Sequence, residues 1–413
     1  MLRPDEIQMN PRLAECAELI DDKDYLPAMR LLLSYLQHNP KDWLAFELLS
    51  RCAHGLGDTG RAQKYEQMYT HYKIKSTREN LSETTYHLQD RRIVYLNVRG
   101  NKFDQLYKQY FKKHNEVRII TAQPRRDLVL DLDPAVCWAD LLVSAWADEG
   151  LTYLTSADGP LRKKSWGRGK RPKVVTFLRS WEALRPDFMR GIDWQLLDGI
   201  IFVADHIKKF CQEQWRARIS EVTQVVIHDS VDLSQSHPSV KGPGHNIAVV
   251  AYLGEKKGVE LLLACLQEAV AIDPRYCMHF AGKVIEPRFQ VYMSHLLRES
   301  GLENNFVSHG WVDDVYGFLG EMNYLISTSP WEACPNNIIE AMACGVKPII
   351  HNWPGARELF PPDLVFNSVR DFAAILTSRK YDSEAYRAWV FEHFDADRQI
   401  PRVDEFLANI LKS

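Results

Sequence analysis

Twice along this chain, short runs of Val, Ile, Leu and Phe alternate with longer segments of helical period. In the first set RRIVYLNV reads as a strand, FDQLYKQYFKKH as a helix and EVRIITA as a strand. DLVLDL and ADLLVSAW follow as further apolar runs, then KVVTFLRS and GIIFVA, and VTQVVIHDSVDL closes the set. The second set runs NIAVVAYL, KGVELLLACLQEAVAI, YCMHFAG, FQVYMSHLLRESG, NFVSHGWV, NYLISTS, PNNIIEAMACG and KPIIHN, strand and helix in turn. Runs without polar alternation belong to strands covered on both faces, so each set predicts a parallel sheet wrapped by helices. Between the sets SHPSVKGPGHN, rich in Pro, Gly and Ser, reads as an interdomain hinge. The fold class expected is therefore α/β, with two doubly wound, Rossmann-like domains over 90–238 and 245–385 facing a cleft. A tail of helices over 386–413 is expected to pack back towards the first of them. Ligands of such sheets bind beyond the carboxyl ends of the strands, where helix N-termini point.

Ahead of these sets the chain repeats itself. Asp24, Ala28 and Tyr35 recur as Asp58, Ala62 and Tyr69, each 34 residues later, which is the period of a tetratricopeptide-type helix pair. Pro27 suits a first helical turn, and Gly57 suits the turn between helices. Residues 1–80 are thus expected to form a small all-α helical repeat module. So short an array buries its apolar faces only against neighbours, and a plain helical hairpin on the next domain is the competing reading. The polar stretch STRENLSETTYHLQD then reads as a linker.

Bulk properties exclude several classes. A formal net charge of −3 lacks the basic excess of a dedicated nucleic-acid binder. MLRPDEIQMNPRLAE has no apolar core of the kind a secretory signal needs, and no run approaches the length of a membrane span. The eight cysteines are scattered without a C-x-x-C pair, which points to reduced thiols in a cytoplasmic protein and away from structural zinc.

The densest chemistry lies in STSPWEACPNNIIEAMACGVKPIIHNWPGARELF, Ser327 to Phe360. A strand ends at Ser327, a loop carries Glu332, and a helix opens near Pro335 and Asn336. The N–H groups around Asn336, Asn337 and Ile338 are placed to cradle an anion such as a diphosphate. Glu332 and Glu340 stand eight positions apart, one in the loop and the other just over one turn into the helix. With Ala341 to Gly345, and with Gly355 and Glu358 in a G-x-x-E turn, the whole segment resembles the E-x7-E motif of the family 4 glycosyltransferases. That resemblance implies a GT-B fold and transfer of a sugar from a nucleoside-diphosphate donor to a hydroxyl acceptor, with retention at the anomeric carbon. It implies that Glu332 contacts donor sugar hydroxyls and Glu340 the ribose.

VAYLGEKKGVELLLACL, Val250 to Leu266, is similar to the G-R-L-x3-K-G pattern of the same family. Lys257 and Gly258 match, and the lysine would neutralise the diphosphate leaving group. Tyr252 occupies the arginine position and Ala251 the glycine position, and tyrosine supplies no permanent cation. Lys283 or Lys256 are candidates to replace it. The glycine-rich loop that the family places after its first strand is reduced here to NVRGNKF, leaving Gly100 and Asn101. In LRSWEAL, Arg179 and Glu182 sit where the family places a basic residue or His near the sugar or the acceptor.

Other signals are read as structural. Asp131-Leu132-Asp133 has the D-x-D form of a metal site, but helix N-termini and lysine leave a metal unnecessary, so no metal and no cofactor are expected. Asp313-Asp314 reads as a helix start, and His279, His309 and His351 show no ligand spacing. LRKKSWGRGKRP, Leu161 to Pro172, is either a solvated loop or a peripheral patch on the inner face of a membrane. Acceptors consistent with the resemblance are a glycan, a lipid-linked saccharide or a protein, and the helical module suits a protein partner or self-association. The alternative class is a binding protein that holds a nucleotide sugar without turning it over, and Tyr252 is the residue that favours it.

Overall fold

A computed structural model of the chain describes residues 10–62, 64–66, 68–69, 87–98, 103–121, 125–163, 170–234, 236 and 241–413, without the side chains of 103–105 and 125–131. The first sheet contains β1 (Arg92–Leu96), β2 (Glu116–Ile120), β3 (Leu141–Ser144), β4 (Lys173–Leu178), β5 (Gly199–Phe202) and β6 (Thr223–Val226). Its order is β2-β1-β3-β4-β5-β6, all parallel. The second contains β7 (Asn246–Leu253), β8 (Cys277–Val284), β9 (Phe306–Gly310), β10 (Tyr324–Ser327), β11 (Lys347–His351) and β12 (Val365–Phe366). Its order is β12-β11-β10-β7-β8-β9, again parallel. The two doubly wound sheets expected from the alternating runs are present. Strands such as β3, β5 and β10 are buried along their whole length, which is why they read as unbroken apolar runs.

One run behaves otherwise. DLVLDL is not a strand but lies in the helix Arg125–Trp138. Leu132, Ala135 and Val136 are its buried residues among those whose side chains are described, a spacing of three and four rather than two. Topology demands this outcome, because β2 and β3 flank β1 on opposite sides and run parallel, and a parallel crossover needs a helix. The stretch read as a hinge is described only in part. Lys241 N donates to Ser383 Oγ at 3.0 Å and the Gly242 carbonyl accepts from Asn323 Nδ2 at 3.1 Å, so Lys241 and Gly242 are fastened to the second sheet's body. Residues 237–240 of that stretch lie outside the described residues, as do 76–86 of the polar linker.

The N-terminal region is all-helical: α1 (Pro11–Asp21), α2 (Tyr25–His38) and α3 (Trp43–Gly55), with helical residues resuming at Thr59. It has its own core, in which Ala28 and Ala62, the repeated small residues, are fully buried. Gly57 takes a φ of +73° in the turn between helices. At the other end, the helix Ser383–His393 packs on the helix Asn336–Ala343 of the second sheet. The last helix, Ala396–Lys412, crosses to the first sheet, where Asp404 accepts from the backbone N–H groups of His87 at 2.6 Å and Leu88 at 3.2 Å. A single hydrophobic core therefore joins the first sheet to the helix Asn336–Ala343 and to the last helix. All eight cysteines are free, and no helix among the described residues is long and apolar enough to cross a membrane.

Candidate functional site

In the second sheet the strand order reverses between β7 and β10, the switch point beyond whose strand ends ligands of such sheets bind. Glu332 and Lys257 come from these two loops. After β7 the chain turns through Glu255–Lys257 into Gly258, whose φ is +59°. A side chain at Gly258 would place its Cβ 2.3 Å from the Thr328 carbonyl oxygen, so only glycine lets the two loops touch. Thr328 Oγ1 donates to the Lys257 carbonyl at 2.7 Å across the same contact. Lys257 thereby meets Glu332 in an ion pair, although 75 residues separate them. Glu332 is 7% exposed, and its Oε1 also accepts from Ser329 Oγ at 2.8 Å.

The helix Asn336–Ala343 starts beside this pair with Pro335 as its N-cap. The structure divides the three residues expected to cradle an anion. Ile338 is fully buried and its N–H donates to Asn337 Oδ1 at 3.0 Å and to the Pro335 carbonyl at 3.2 Å. Asn337 Nδ2 donates to the Val250 carbonyl at 3.0 Å, tying the helix to β7. Asn336 keeps a buried side-chain oxygen without a hydrogen-bond partner. Glu340 is 8% exposed. It lies near Tyr316, whose hydroxyl pKa is raised by burial first and by the Glu340 charge second.

Tyr252 is 51% exposed near the end of β7, its ring 5.6 Å from that of Trp311. Lys283 is its register neighbour on β8, with Nζ 6.0 Å from the Trp311 ring centre. The ammonium side chain of Lys283 thus emerges at the same level as Tyr252, one strand away. Lys256 lies exposed in the turn.

On the first sheet Arg179 follows β4 but sits 6% exposed, bonded to both oxygens of Asp229 and to the Ala145 carbonyl, over the Trp146 ring at 4.6 Å. It braces the ends of β3 and β4 rather than opening to solvent. Glu182 is fully buried, and burial pushes its carboxyl up to about 7 against the opposing charge of Arg179. Gly100 and Asn101 lie outside the described residues.

The signals read as structural have local partners. Asp133 is paired with Lys163 and accepts from Tyr153 at 3.3 Å. Asp314 caps the helix Val315–Gly320 and Asp313 accepts from the Trp311 indole at 2.9 Å. His279 and His309 hydrogen-bond each other at 3.1 Å, while His351 contacts the Ser329 carbonyl at 3.2 Å. Among the described residues no three His, Cys, Asp or Glu groups gather as a metal set. In the basic run, Arg162 and Arg171 pair with Asp193 and Asp198, and residues 164–169 lie outside the described residues.

One residue escaped the sequence reading. His206 opens the helix Asp205–Ile219 after β5, on the first sheet, and reaches across to the Glu332 backbone. A lone His at a helix start carries no motif, so only the assembled halves reveal it.

Comparison with known proteins agrees with this architecture. Residues 244–378 match the family model described as glycosyl transferases group 1. No curated protein matches the chain. Among solved structures, Anabaena HepE in complex with UDP is 16% identical, covers 77% of this chain and 100% of its own, and superposes with a TM-score of 0.59. A glycosyltransferase from Rickettsia africae is 16% identical over 79% of this chain and 100% of its own, with a TM-score of 0.60. The lipopolysaccharide outer core galactosyltransferase WaaB is 15% identical over 78% and 100%, with a TM-score of 0.58. At these identities the likeness establishes the shared fold, which is GT-B.

Proposed function

We propose that this chain transfers a sugar from a nucleoside-diphosphate donor to a hydroxyl acceptor, with retention of anomeric configuration. The observation that carries this reading is the Lys257–Glu332 pair at the switch point of the second sheet, beside the start of the Asn336–Ala343 helix. A cation and a helix N-terminus meet a diphosphate leaving group without a metal. A buried carboxylate already held by Ser329 suits hydroxyl recognition. In this role Glu332 contacts the donor sugar, Lys257 the phosphates, Glu340 the ribose, and Lys283 supplies the charge that Tyr252 cannot. Arg179 acts from below, by fixing the strand ends of the first sheet. The match over residues 244–378 supports the class of reaction, and solved neighbours that hold UDP or UDP-glucose make uridine diphosphate the first nucleotide to try. The acceptor, whether glycan, lipid-linked saccharide or protein, is left to a screen.

The test is thermal unfolding of the purified chain with UDP, GDP, ADP and CMP, followed by donor turnover with the matching sugar nucleotides. A nucleotide at about 100 times its dissociation constant stabilises the fold by roughly 2.7 kcal/mol. The expected result is stabilisation by one nucleotide, reduced in Lys257→Ala and Glu340→Ala. Stabilisation without turnover against any acceptor would support the second reading, a nucleotide-sugar-binding protein, which the half-exposed Tyr252 favours. No shift with any nucleotide sinks both.

A further inference from the structure

The loop that carries Glu332 is held from two sides. On its own sheet, Ser329 and Lys257 fix the carboxylate. From the first sheet, His206 Nε2 donates to the carbonyl oxygen of the same residue at 2.8 Å. A carbonyl only accepts, so the proton is on Nε2. Burial keeps the imidazole pKa below its usual value, and Nδ1 is buried with no hydrogen-bond partner. The ring occupies a socket built by the second half of the chain, with Trp331 at 5.7 Å and Trp353 at 5.2 Å. Gly355, with φ +98°, forms its floor, and a Cβ there would lie 2.3 Å from the imidazole Cγ. The glycine of the G-x-x-E turn is therefore needed to admit His206. The glutamate of that turn, Glu358, pairs at 3.0 Å with Lys209 of the same helix. A second tie runs from Cys334 Sγ to the Val203 carbonyl at 3.2 Å.

We propose that His206 is a positioning residue for Glu332: the first half of the chain sets the donor-side carboxylate through its backbone, so the site is in register only when the two halves are docked. This rests on the glycosyl-transfer reading for the role of Glu332, while the clamp itself is independent of it. A bond to any other carbonyl nearby would brace the interface alone. This one acts on the residue whose side chain meets the donor.

His206→Phe keeps a ring between the two tryptophans and removes the donor, and His206→Gln restores a donor. His206→Ala serves in place of phenylalanine if the larger ring does not fit over Gly355. Full-length wild type and variants are compared by amide hydrogen exchange over residues 328–336 and by steady-state donor turnover. Loss of the donor should raise exchange in that loop about tenfold relative to β7 and β8. It should also lower kcat about tenfold with little change in donor KM, since small misplacements of catalytic groups are costly. Glutamine should recover most of kcat. Unchanged loop exchange, a wild-type kcat in His206→Phe, or a glutamine variant as impaired as phenylalanine would overturn the proposal. If wild type turns over no nucleotide sugar, the glycosyl-transfer reading falls, and the exchange measurement still decides the clamp.

Discussion

Glu182 shows how much one buried carboxyl can bias this fold. Its Oε2 is buried without a hydrogen-bond partner, and its pKa is raised by burial to about 7. Below the unfolded value of 4.5 the group is protonated in both states. Between 4.5 and about 7 the unfolded chain releases a proton that the folded chain keeps, so this group's stabilisation is lost across that window. Glu182→Gln keeps the neutral shape and should raise stability at pH 8 by about 2–3 kcal/mol, with little effect at pH 4.5. Urea unfolding at the two pH values checks this, and equal stability of both proteins at pH 8 would refute the burial argument. His206 and His228 titrate in the opposite sense. Burial lowers both pKa values, so their contribution is present above the unfolded value near 6.5 and is lost as pH falls below it. At the pair itself, Lys257→Ala leaves a buried carboxylate without its cation and, on the proposed function, a diphosphate without its counter-charge. We expect donor kcat/KM to fall about 10²–10³-fold, read by steady-state turnover.

Among the elements, the turn after β7 and the loop after β10 depend on one glycine. Gly258→Ala forces a left-handed backbone on an L-residue and drives its Cβ into the Thr328 carbonyl. A loss of about 1–3 kcal/mol is expected, together with a marked fall in nucleotide binding, because Lys257 moves away from Glu332. Thermal unfolding with and without nucleotide separates the two effects. Much at this scale was legible beforehand. The strands, the crossover helices and the helix after Glu332 follow from periodicity and from Pro and Gly placement. DLVLDL misled because six apolar and acidic residues fit either period. Only the need to cross from β2 to β3 decided for a helix. Glu332 and Lys257 were legible as separate residues. Their direct pairing was not, since nothing in a sequence separation of 75 encodes a distance in space.

For the whole molecule, the last helix and the His206 socket join the halves into one unit. Asp404 is fully buried and is the acceptor for two backbone N–H groups that precede β1. Asp404→Ala should destabilise the chain by about 1–3 kcal/mol, and a calorimetric transition at the wild-type temperature would show that the tie is dispensable. By itself the sequence determined the two parallel sheets and the helical region before them, because hydrophobic period and local turn chemistry are properties of neighbouring residues, and it marked Glu332, Glu340 and Lys257 as candidates only through a family resemblance. The tertiary structure alone decided that Arg179 is a buried brace, that Lys283 emerges beside Tyr252, and that His206 holds Glu332 from the opposite sheet. Those are contacts between distant segments, fixed by strand order and by the packing of one core across both halves, and no local pattern records them.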